Sequence, residues 1–511
     1  MPELPGGLVV DASLTRVFSG SLLRHLAWQA TTADSAGVEI DKDPMTGAVV
    51  KVVFATAEAA PIARVGGLAE AAAGLIRSLR ATTEVELTVV MPDYGDVELK
   101  NETTKELVVP EWVGKALVRT GIAPELGVVH LVDVPGMARP HPYVDASGEG
   151  WEDNHQRFFG FSAAVAAITE QVKPDVLHLN DWHTAMTLAW ADVPSVYTIH
   201  TLGYQGHGDI GWLRAINTER SAAFDQYGQL NPAAGAIRLA DRIIAVSPNY
   251  SREILDPARG AGLHSLLSGR GTDLVGIRNG IDVTLWDPAT DDLLARKYDR
   301  ASLSDKAANT EALLARIGWE DDDGPVIGVV TRLVEQKGID ILLGLVPYLE
   351  RMGARLVLLG SGEERLSLWG RELSQQYSSV FHFVEGYDLE LAHQIFAGAD
   401  LFCMPSRFEP CGLAQMQAMA YGTIPIVTPV GGLVDTVTDV DTDPKNGTGV
   451  VALTIDGLGV LDAMHRAVAV WKTKRTRTSV QKRGMNIDWS WDQPTQQHLD
   501  IYRAAIAAHP N

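Results

Sequence analysis

Between residues 51 and 455, short runs of β-branched and aliphatic residues alternate with segments of helical period, and few folds accommodate that alternation. Residues 51–57 (KVVFATA), 85–91 (VELTVVM), 128–134, 175–180, 195–200, 242–247 and 274–277 form one series. After Asp282 the pattern restarts at 325–333, 355–360, 380–385, 401–405 and 424–427. Strands alternating with helices build βαβ units, with parallel strands and helices on both faces. Runs that are apolar throughout, such as VIGVV and RLVLLG, suit strands covered on two sides. A chain of 511 residues exceeds what one core carries. The expected fold is therefore α/β, with two Rossmann-like, doubly wound domains facing each other across a cleft.

The boundary falls between Asp282 and Pro325, where Trp286-Asp287-Pro288 and the acidic run from Glu320 to Asp323 interrupt the pattern. Drawn at 283/284, it gives domains over 50–283 and 284–490. Residues 1–49 precede the alternation as an extension, with an amphipathic helix expected over 14–30 and a turn at 41–47. A net charge of -21 opposes a nucleic-acid partner, which needs a basic face. It leaves room for a small cationic cluster around a diphosphate. Cys403 and Cys411, the only cysteines, supply neither a disulfide framework nor a metal-ligand spacing. No apolar run approaches the roughly 18 residues of a membrane span. Asp11 and Arg16 interrupt the apolar N-terminal stretch where a signal peptide would need it whole, so a cytoplasmic location is expected.

Six segments, each just after an expected strand, carry residues suited to chemistry. In 61–68 (PIARVGGL), Gly66-Gly67 opens a helix whose backbone amides can approach a phosphate or a sugar hydroxyl, with Arg64 ahead of it; a ligand-free tight turn is the alternative. In 177–184 (LHLNDWHT), Asp181 and Trp182 combine a carboxylate with an aromatic face, as sugar binding requires, although Asp181 could simply cap a helix. His200 stands at the next strand end, in YTIHTLGYQG. Residues 331–338 (TRLVEQKG) put Arg332 and Lys337 between a strand and a helix, where two cations call for a counter-charge such as a leaving diphosphate. In 404–413 (MPSRFEPCGL), Glu409 is held by Pro410, and Gly412 starts a helix that can face a phosphate. One carboxylate there is too few for the acid and nucleophile pair of most glycosidases. Residues 429–433 (PVGGL) repeat the glycine turn.

In this order the segments resemble the glycogen/starch synthase family, glycosyltransferase family five, of GT-B fold. The similarity runs from about Lys51 to the end. It is most specific at Asp181-Trp182-His183, Ala245-Val246-Ser247-Pro248, Asn279-Gly280-Ile281-Asp282, Arg332 with Gln336-Lys337-Gly338, and residues 406–412 (SRFEPCG). The resemblance implies a retaining transferase that moves a glucosyl or similar group from a nucleotide diphosphate donor to a carbohydrate acceptor, without a metal or resident cofactor. Arg332 and Lys337 would neutralise the departing diphosphate and Glu409 would assist the donor sugar. Cys411, Gly412 and Leu413 would receive the distal phosphate and Tyr387 would stack on the base. Asp181 and His200 would face the reacting sugar, and Arg64, Gly66, Gly67 and Asn279 would complete the donor site. Residues 491–511 would form a helix returning to the first domain.

The departures fall mostly in the first domain. Arg64 stands where the family has lysine, Glu70 where it has aspartate, Thr201 where it has asparagine, and residues 231–235 (NPAAG) replace its Lys-Ala-Gly. In the second domain Ala414 replaces a threonine. They leave two alternatives beside a glucan synthase. One is a redeployed relative building an acarbose-like aminocyclitol oligosaccharide as a glycosyltransferase or pseudo-glycosyltransferase. The other is a non-catalytic carbohydrate-binding relative.

Overall fold

The computed structural model describes residues 49–510 apart from Asp96, Ala146 and residues 321–323. The expected helix over 14–30, the turn at 41–47 and the rest of the N-terminal extension lie outside the described residues, as do the three aspartates of the acidic run. The first series of runs builds a nine-stranded sheet: β1 (Val50–Ala55), β2 (Val85–Pro92), β3 (Lys100–Leu107), β4 (Ala116–Ala123), β5 (Gly127–Asp133), β6 (Val176–Asn180), β7 (Ser195–Ile199), β10 (Arg242–Ala245) and β11 (Leu274–Gly276). Its order is β11-β10-β7-β6-β1-β2-β5-β4-β3; β8 (Asp225–Gln226) and β9 (Gln229–Leu230) form a separate hairpin.

The expectation of wholly parallel sheets fails at one edge. β3 and β4 pair antiparallel with each other, and β4 pairs antiparallel with β5. Neither is among the expected runs. β3 reads KNETTKEL, with only Leu107 buried, so it carries no apolar period to detect. Charged side chains of this kind protect an exposed sheet edge from pairing with another chain.

The second series gives an all-parallel sheet: β12 (Val326–Val330), β13 (Arg355–Gly360), β14 (Phe381–Glu385), β15 (Leu401–Met404), β16 (Ile424–Val427) and β17 (Val450–Val451). Its order is β14-β13-β12-β15-β16-β17. β13 is buried along its whole length, which is why its sequence shows no alternation.

In both sheets the strand order reverses beside the first strand. β1 lies between β2 and β6, and β12 between β13 and β15. Chains leaving the two central strands turn to opposite faces of their sheet, which opens a crevice at the strand ends. The glycine turn after β1, the Asp181 segment after β6, the Arg332 turn after β12 and the Glu409 segment after β15 all leave from these reversals.

The last helix, Asp492–Ala508, packs on the first domain. Tyr502 is fully buried, and its hydroxyl lies 2.8 Å from Nδ1 of His178, whose Nε2 meets the Thr198 hydroxyl at 2.7 Å. Trp491 fills the space over Gly74 in the helix Gly67–Ala81, where an added Cβ would come within 2.1 Å of the indole Nε1. Tyr502→Ala is expected to destabilise the protein by about 3–5 kcal/mol through cavity formation. Tyr502→Phe, which loses only the hydroxyl, should cost about 1 kcal/mol. Denaturant unfolding of the two variants checks both values.

Candidate functional site

The first wall of the site is organised by a carboxylate that sequence reasoning missed. Glu58, just past β1, is buried; its Oε2 accepts the amides of Val65 (2.8 Å) and Gly66 (3.1 Å), and its Oε1 accepts the Tyr143 hydroxyl at 2.6 Å. The expected phosphate cradle at Gly66-Gly67 is thus filled in part by an internal anion. Gly66 caps the helix as expected, but its amide is engaged. The Gly67 amide has no acceptor among the described residues. A lone glutamate after a strand gives no signal of this in the sequence, because its partners are 7, 8 and 85 residues away.

Asp181 follows β6 with φ of 53°, a conformation that costs a non-glycine residue of order 1 kcal/mol and is often found at functional sites. It does not cap the helix Trp182–Ala185 with its side chain. Its Oδ1 instead accepts the amides of His200 (2.8 Å) and Thr201 (3.4 Å). Burial raises its pKa to about 7 against the lowering effect of those two amides, with the Glu58 charge adding a smaller upward push. His200 Nε2 lies 2.9 Å from Asn180 Oδ1, and the Asn180 amide nitrogen donates to Ala55 O. That orientation puts the imidazole proton on Nε2 and leaves Nδ1 as an acceptor. Burial, helped by His498, depresses the His200 pKa to about 3, so the ring is neutral at ordinary pH.

The second wall is two turns locked together. Gly338 has φ of 67°, and a Cβ there would come within 2.0 Å of Pro405 O, so only glycine fits. Arg407 grips the Asp340 carboxylate with both Nη atoms, at 2.6 and 2.7 Å. Lys337 Nζ donates to Glu409 Oε2 at 2.6 Å, and the Ser406 hydroxyl donates to the same oxygen at 3.1 Å. The expectation of two cations awaiting an external counter-charge is therefore half corrected, since Lys337 already has Glu409. Arg332 is exposed, and its guanidinium has no hydrogen-bond or ion-pair partner among the described residues.

Gly412 does not start a helix. It sits in the left-handed region with φ of 75°, and the helix begins at Ala414. The amides of Gly412 and Leu413 nevertheless have no acceptor among the described residues. The PVGGL turn differs. The Gly431 amide donates to Glu253 and the Gly432 amide to Glu409 O, so this turn braces the Glu409 segment. Cys411 is buried, which pushes its thiol up to about 12, and the Asn279 backbone hydrogen-bonds that sulfur.

The predicted site residues meet in one cleft of about 880 Å³. Arg64, Gly66, Gly67, Asp181, His200 and Asn279 line it from the first domain; Arg332, Lys337, Tyr387, Glu409, Cys411, Gly412 and Leu413 line it from the second. The structure thus brings every predicted site residue together, and adds Glu58 and Tyr143. Among the described residues no cluster of His, Cys, Asp or Glu is arranged to hold a metal ion, and no helix is long and apolar enough to cross a membrane.

Residues 51–269 match the starch synthase catalytic domain family, and residues 314–452 match glycosyl transferases group 1. A glycogen synthase of Halorhodospira halophila is 41% identical over 479 residues, covering 90% of this chain and 100% of its own length. One from Alkalilimnicola ehrlichii is 38% identical, covering 89% and 98%. The catalytic domain of starch synthase IV from Arabidopsis thaliana, solved with ADP and acarbose, superposes with a TM-score of 0.81 at 30% identity over 90% of this chain and all of that one. Sucrose-phosphate synthase of Thermosynechococcus elongatus shares the fold, with a TM-score of 0.60 at 19% identity, over 90% and 100%.

The raised pKa of Asp181 makes a prediction. A carboxyl titrating near 7 in the folded state takes up a proton on folding at mildly acidic pH, so stability falls as pH rises toward 7 and the full cost is present above it. Asp181→Asn keeps an acceptor for both amides but carries no charge. It should unfold at a higher temperature than wild type at about pH 8, with the gap closing by about pH 4. Thermal unfolding across that range checks it.

Proposed function

We propose, because this chain belongs to the glycogen and starch synthase family, that it transfers glucose from ADP- or UDP-glucose to the end of an α-glucan with retention of the anomeric configuration. The chain is a GT-B glucosyltransferase that uses a nucleotide-sugar donor. The glucan acceptor is supported by full-length likeness to glycogen synthases, and nothing among the relatives favours a redeployed or non-catalytic role. Retention rests on the family resemblance and is read from the anomeric coupling of the product by NMR.

The observation that carries this reading is Arg332, a guanidinium without a partner in a cleft whose other cations, Lys337 and Arg64, are already paired. As the glucosyl C1–O bond breaks, negative charge gathers on the departing diphosphate oxygen. Arg332 meets that charge, and the open amides of Gly412 and Leu413 receive the outer phosphate. Lys337 shares its proton donors between Glu409 and the phosphate, which holds the Glu409 carboxylate beside the sugar. In the first domain, neutral His200 offers Nδ1 as an acceptor to a sugar hydroxyl, and Asp181 fixes its backbone. The ring of Tyr387 stacks on the base.

Arg332→Ala and Lys337→Ala are each expected to lower turnover by about 100-fold or more with glycogen as acceptor, since preorganised charge at a leaving group acts mainly in the transition state. Donor KM should change less. Wild-type turnover in either variant removes that residue from the reaction. Because side chains and amides balance the diphosphate charge, transfer should also persist in excess EDTA, measured as glucose incorporated into glycogen.

A further inference from the structure

Two first-domain residues that depart from the family pattern touch each other. Arg64 Nε lies 2.9 Å from Glu70 Oε1, and both side chains are longer than the lysine and aspartate they replace. Their ion pair uses one edge of the guanidinium. The second edge of the guanidinium then reaches across the cleft, where Nη1 donates to the Tyr387 hydroxyl at 3.1 Å. A lysine offers its donors from a single atom, whereas a planar guanidinium offers them from separate edges. With side chains 43% and 32% exposed, the Arg64–Glu70 pair contributes little to stability. What it supplies is direction. Tyr387 is exposed and follows Gly386, whose φ is 124°.

We propose that Arg64 and Glu70 act as one specificity-determining pair, which fixes the Tyr387 ring from the opposite domain and so sets which base the donor site accepts. The proposal rests on the reading that this ring stacks on the donor base. Thr201, the third departure, belongs to a different contact, since its amide donates to Asp181. The pair is therefore a separable determinant.

The test is calorimetric binding of ADP and of UDP to wild type, R64K, E70D, Y387F, R64K/E70D and R64K/Y387F. None of these substitutions alters a buried side chain. Each single variant is expected to weaken the preferred nucleotide by about tenfold, the loss of one charge-assisted hydrogen bond. The ADP-to-UDP ratio should move toward one. Each double variant should bind no worse than its weaker single, because the contacts form one unit. Losses that multiply in the double variants, or a base preference that stays constant across the set, overturn the pair while leaving the donor site intact. If wild type binds neither nucleotide, the donor-site reading itself fails, and the pair's role with it.

Discussion

A parallel sheet whose strand order reverses must send consecutive connections to opposite faces, and the backbone at the reversal has nothing above it. This chain makes that reversal twice, beside β1 and beside β12. Parallel strands bury both faces and expose only their ends, so a polar side chain that has to reach a ligand has no other place to stand. The glycine turn, the Asp181 and His200 segment, the Arg332 turn and the Glu409 segment all follow from this constraint. The two crevices become one cleft because the domains also bond directly to each other. Ser247 donates to Pro410 O at 2.6 Å and the Ile281 amide to Trp489 O at 2.8 Å.

Within that frame the protein divides its exposed amides into two kinds. Those of Val65 and Gly66 are satisfied by Glu58, and that of Gly431 by Glu253. Those of Gly412 and Leu413 are left open. Internal carboxylates thus occupy the PVGGL turn and part of the Gly66-Gly67 turn, where the Gly67 amide stays open, and leave the Gly412-Leu413 turn without an internal anion. The same selectivity governs the cations. Lys337 is paired with Glu409 and Arg407 with Asp340, so Arg332 carries the positive charge that remains to be met. In a chain of net charge -21, such local arrangement is what the proposed diphosphate site depends on.

Burial sets the protonation of the first-domain groups. Desolvation drives Asp181 up and His200 down, so each is closer to its neutral form than in water. The bond from His200 to Asn180, and from Asn180 to Ala55, then fixes which imidazole nitrogen faces the cleft. This control depends on the sheet interior behind the site, including the C-terminal helix that brings His498 toward His200.

The sequence by itself determined the α/β alternation, the two series of strands and the segments that meet in the cleft, because buried parallel strands and the glycine turns after them are written in contiguous residues. The ranges expected for β13, β14 and β16 lie within a residue of the observed strands for that reason. It did not reveal β3, whose solvent-facing side chains leave no apolar period. Nor did it reveal Glu58, Tyr143 or the reach of Arg64 to Tyr387, whose residues are 323 positions apart. Which glycine amides are occupied, which of two cations is already paired, and which carboxyl titrates near 7 were decided only by the tertiary structure. Those properties depend on what lies within about 3 Å of an atom and on how much water is excluded from it, and local sequence encodes neither.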